Sequence, residues 1–112
     1  MHKSIKQYTK EVVKTMSSYE KAGTKKWNYR TAAFDLSVQV GSLAKALLQL
    51  ENYRHAHGMS KKELKTKISD ELADIFTEVL FIAHELDINI EDSFNTMLAS
   101  DKQKISSRQK KK

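Results

Sequence analysis

SKKELKTKISDELADIFTEVLFIAHEL, residues 60–86, decides the fold. Leu64, Ile68, Leu72, Ile75, Phe76, Val79, Ala83 and Leu86 recur at three- and four-residue steps, the period of one helix face. Ser60 with Glu63 fits a capping box at the start, and Asp87-Ile88-Asn89 supplies the break. The segment before it repeats the pattern. Leu36, Val40, Leu43, Leu47 and Leu50 fall within about 80° of one another on a helical wheel. They predict a helix from about Asn28 to Ala56, with Gly58 as its stop. Gly41 interrupts this helix at a cost of about 1 kcal/mol relative to alanine, a residue type that allows close helix approach. Upstream, Ile5, Tyr8, Val12, Met16 and Tyr19 mark a first helix broken at Gly23. Downstream, Asn89 is a candidate N-cap for a fourth helix carrying Ile90, Phe94, Met97 and Leu98.

Short connections between long amphipathic helices predict an all-α antiparallel four-helix bundle. No apolar residue follows Ile105, so the domain is expected to span 1–105 and residues 106–112 to form a disordered basic tail. The two central helices are each roughly 40 Å long by this reading. So small a chain offers them little apolar cover, which predicts a homodimer or a dimer of dimers with shared helix faces.

Composition narrows the remaining classes. The chain has no cysteine, which excludes a disulfide scaffold and thiolate metal sites. It has no proline and only three glycines, against most all-β folds. No apolar run approaches a membrane span, and the cytoplasm is the expected location. The net charge is +6. Lys102 to Lys112 hold six basic residues and no acid, so the body is neutral and the excess lies in the tail. Nucleic-acid binding is therefore expected only weakly, through that tail.

Chemistry concentrates on one helix edge. Glu71, Asp74, Glu78 and Glu85 fall within about 60° of arc beside the apolar stripe of residues 60–86. Glu71 and Asp74, one turn apart, suit a hard divalent cation, although an exposed acidic edge would use the same spacing. His55 and His57 stand two residues apart, and such a pair on a helix does not converge on a metal. Trp27 and Tyr29, beside Lys25, Lys26 and Arg30, suit base stacking and phosphate contact, or equally packing at a helix start. No glycine-rich phosphate loop is present, and no catalytic residue is assigned.

Three stretches together resemble the MazG-like all-α nucleoside triphosphate pyrophosphohydrolases: Leu36 to Leu47, Asp70-Glu71-Leu72-Ala73-Asp74-Ile75, and Leu86 to Asp92. The resemblance covers about residues 27–108. It implies Mg²⁺-dependent cleavage of a nucleoside triphosphate to monophosphate and pyrophosphate. It makes Glu71 and Asp74 metal ligands. The family's first motif, L-x-E-E-x-G-E-L, is degenerate, with Val38, Gln39 and Ser42 where glutamates belong, while Gly41 and Leu43 keep the frame. Gln39, Ser42 and Asp35, one turn before Gln39, remain as weak helpers. Trp27, Lys102, Lys104 and Arg108 become substrate-binding candidates. With three carboxylates missing, Mg²⁺ is expected to bind weakly and hydrolysis to be slow or lost, because phosphoryl chemistry relies on charge neutralisation. The alternative is an inactive nucleotide-binding or oligomeric interaction module.

Overall fold

The computed structural model describes residues 2–110. They form four helices: α1 (Ile5–Lys21), α2 (Tyr29–Leu50), α3 (Lys61–Glu85) and α4 (Ile90–Lys110). Among the described residues, no helix is long and apolar enough to cross a membrane.

The caps explain the starts. Ser4 opens α1 through a capping box with Gln7. Asn28 opens α2, its side-chain oxygen accepting from the backbone N–H groups of Arg30 (2.9 Å) and Thr31 (3.0 Å). The expected Ser60–Glu63 box opens α3. Asn89 caps α4 by accepting from Asp92 N–H at 3.1 Å.

The ends of α1, α2 and α3 share one device. Past each cap lies a left-handed residue: Gly23 (φ 108°), Asn52 (φ 64°) and Asp87 (φ 54°). The following N–H then donates back into the last turn, Thr24 to Tyr19 O (3.0 Å), Tyr53 to Leu48 O (2.8 Å) and Ile88 to Ala83 O (2.8 Å). This corrects the expected end of α2. The helix stops at Leu50 rather than Ala56, because Asn52 is the stop and Gly58 is merely a later turn. His55 and His57 consequently lie in the α2–α3 loop, both exposed. The buried Gln49 holds that loop by donating to His55 O at 3.0 Å.

Packing is uneven. α2 and α3 form the main helix pair, and α1 packs on α3. Leu64, Leu80, Phe81, Ala83, Ala32 and Ala46 make up the buried apolar core. The expected α3 stripe is thus corrected in part. Leu72 and Phe76 are about half exposed, at 52% and 49%, while Leu80 and Phe81 are buried instead. α1 is the reason: it covers a different side of α3, the one carrying Phe81. Gly41 makes no close helix approach within the chain, since nothing lies within 4 Å of where its Cβ would stand.

α4 stands away from the other three helices, and every residue from Glu91 to Gln109 is exposed. It continues helically past the boundary expected at residue 105. Neither glycine nor proline interrupts the lysine- and glutamine-rich end, and those residues favour helix. The tail residues Lys111 and Lys112 lie outside the described residues.

Candidate functional site

A cavity of about 360 Å³ opens between α1, α2 and α3. That volume lies within the range of small-molecule sites. The Asn28 cap fixes the phase of α2, so that Ala32, Asp35 and Gln39, about one turn apart, turn toward it. α3 contributes Asp74, Thr77, Glu78 and Phe81. α1 and the loop after it close the third side with Met16, Tyr19, Glu20, Lys25 and Trp27. The reversal at Gly23 sends the chain back toward α2, which places Lys25 and Trp27 at the cavity rather than in open solvent.

The electrostatics centre on Glu78. It is only 8% exposed, and its Oε2 atom is buried without a hydrogen-bond partner. Burial pushes its carboxyl up to about 8, and a hydrogen bond with Asp35 and the charges of Asp35 and Asp74 add to the rise. At neutral pH Glu78 therefore holds a proton and acts as a neutral donor beside two acceptors. Asp35 also accepts from Gln39 Nε2 at 3.4 Å.

The structure brings together six of the residues singled out in the sequence: Lys25, Trp27, Asp35, Gln39, Asp74 and Glu78. The metal and substrate candidates that remain do not line the cavity. Glu71 is half-buried with its Oε2 atom unpartnered, and Ser42 is half-buried. Lys102, Lys104 and Arg108 sit on the outlying α4. Glu78 was legible only as part of an acidic edge. Its signal was its neighbours, since a glutamate inside Thr77-Glu78-Val79-Leu80-Phe81 must be desolvated by any helix covering that run. Lys25 was marked as a basic neighbour of Trp27, and Tyr19 only as part of the first apolar stripe.

Among the described residues, no three Asp, Glu or His side chains are grouped so as to hold a metal ion. The residues present supply few of the oxygens a resident Mg²⁺ needs. Glu71 does not line the cavity, Gln39 stands where an acid would, and Val38, at 63% exposed, turns away. A hard cation gains most from ionised, converging oxygens.

The family model described as MazG nucleotide pyrophosphohydrolase domain matches residues 39–112. No curated protein and no solved structure matches the chain.

Proposed function

The chain belongs to the MazG nucleotide pyrophosphohydrolase family, and from that premise we propose that it binds a nucleotide in the α1–α2–α3 cavity and hydrolyses it slowly or not at all. The observation that carries this reading is a cavity that keeps the means of recognition while the acids of one motif are gone. Trp27 and Tyr19 offer aromatic faces for a base. The neutral Glu78 carboxyl donates, and Asp35 and Asp74 accept, a combination suited to the polar edge of a heterocycle or sugar. Among the described residues, Lys25 supplies the one cation lining the cavity, against the acids Glu20, Asp35 and Asp74. A triphosphate meets that acidic surplus unless a cation neutralises it. Val38, Gln39 and Ser42 bring no charge for holding such a cation.

Trp27 is the only tryptophan, so its fluorescence reports on the cavity alone. Titration with a panel of ribo- and deoxyribonucleotides is expected to give a saturable change for at least one base, which Lys25→Ala and Asp74→Ala weaken. Pyrophosphate release with Mg²⁺ is expected to stay near background. Brisk release that Asp74→Ala and Glu71→Ala abolish would overturn the loss of activity. A flat fluorescence titration across the whole panel would overturn binding.

A further inference from the structure

The body of the chain is neutral only in sum. Residues 1–30 hold eight basic side chains and two acidic ones, whereas residues 31–101 hold six and twelve. The basic excess of the first part gathers on α1. Lys6, Lys10, Lys14 and Lys21, with Lys3 just before the helix, fall within about 80° of arc. Ser17 is the one other residue of α1 in that sector. The half-buried Ile5, Thr9, Val12 and Met16 occupy the other side, about 130° round, where α1 packs on α3.

Within the protein this ridge of charge goes unanswered. Among the described residues the one ion pair joins Lys3 Nζ to Glu11 at 2.7 Å. Asp87 and Glu91 stand across a cavity from Lys6 and Lys10 without pairing to them. Lys6, Lys10, Lys14 and Lys21 are all exposed. Lys6, Lys10 and Lys14 follow one another at four-residue steps, a spacing at which like charges destabilise a helix. The match to the MazG family model begins at residue 39, so it assigns no role to α1.

We infer that the outer face of α1 is a contact surface for the backbone of double-stranded DNA, bound without regard to sequence. Each four-residue step advances the ridge by about 6 Å, and Lys6 to Lys21 spans about 22 Å. Over that length B-form DNA presents about thirteen charges. A helix about 10–12 Å across seats in its major groove, about 12 Å wide, with phosphates on either side. The deep, narrow major groove of an RNA duplex does not admit one. Lysine holds phosphate as a point charge, and the ridge has no arginine, asparagine or glutamine to read a base edge. It has no aromatic residue to stack an unpaired base, which favours a duplex over a single strand. It also lacks the apolar side chains that a helix lying on a membrane inserts. An acidic protein would match the ridge only if its carboxylates repeated along the same length, whereas a phosphodiester chain repeats by construction.

Anisotropy titration of a short labelled DNA duplex with the full chain, repeated over a series of salt concentrations, tests this. Four neutralised phosphates contribute a slope of about −3.6 in log affinity against log salt, a loss of about a hundredfold between roughly 50 and 200 mM. Lys6→Gln, Lys10→Gln and Lys14→Gln together are expected to remove about 2.7 of that slope, and the same three lysines changed to arginine to keep it. If the triple glutamine variant fails to fold, Lys10→Gln alone should lower the slope by about one. Lys102→Gln, Lys104→Gln and Arg108→Gln on α4 should leave the share of α1 in place. An unchanged slope in the α1 glutamine variants, or no binding at about 50 mM salt, would overturn the inference. So would a slope that vanishes with the α4 substitutions alone. Tighter binding to an RNA duplex, to polyglutamate or to vesicles of anionic lipid, lost with the same lysines, would overturn the choice of DNA.

Discussion

Glu78→Gln is expected to raise the melting temperature by more than about 10 °C at pH 9 and to change it little below pH 4.5. The sign follows from linkage. The ordinary value of 4.5 applies in the unfolded chain, and the folded value is about 8. Between them the native state holds a proton that the unfolded state has released, so stability falls as pH rises through that window. Below it both states are protonated and nothing is lost. Above it the native state carries the full deficit of a buried charge, about 5 kcal/mol. Asp35 from α2 and Asp74 from the preceding turn of α3 deepen the deficit, with Glu20 adding to the acidic wall. Lys25 opposes it from the loop after α1. Glutamine keeps a donor toward Asp35 and never ionises. Calorimetric melts of both proteins at pH 4, 7 and 9 check this. Parallel curves across that range would show that Glu78 ionises without penalty.

Gln39→Glu is expected to strengthen the weak divalent-cation affinity expected of the native cavity. Gln39 lines the cavity and lies within 3.4 Å of Asp35. Glutamate there replaces a neutral amide with an acid, so Asp35, Asp74 and residue 39 put three carboxyl groups around one space. Without a cation their repulsion should lower the melting temperature. With Mg²⁺ or Mn²⁺ it should recover, and the dissociation constant by calorimetric titration should tighten at least about tenfold, about 1.4 kcal/mol. Val38→Glu is the internal control, because residue 38 points to solvent and a carboxylate there adds nothing to the cavity. Equal gains from both substitutions, or none from Gln39→Glu, would refute this placement.

Helix number and order were legible because they rest on period and caps, which are local. Ser60, Asn28 and Asn89 each cap the helix that the apolar repeat predicts. The end of α2 was misread because asparagine and glycine both accept the left-handed backbone, and Gly58 is the more conspicuous of the two. The faces were harder. A wheel shows which residues share a side of α3, but not which side α1 covers. Leu72 was thus expected inside, while Phe81 had no place in the expected stripe. At the site, Asp74, Gln39, Asp35 and Trp27 were each marked by type or resemblance. The joining of Glu78 to Asp35 was not, because it depends on two helices meeting at one height.

The concentration of packing in α2 and α3 also sets an order of events. Their contacts join segments close in sequence across a ten-residue connection, Glu51 to Ser60, so the loop-closure entropy is small and the pair is expected to form early. α4 has little to condense upon within its own chain. Refolding should therefore separate into an early phase in which α2 and α3 gain protection and a later one in which α4 does, resolvable by pulsed hydrogen exchange. One end of the molecule then keeps the freedom to open and reclose while its middle stays shut.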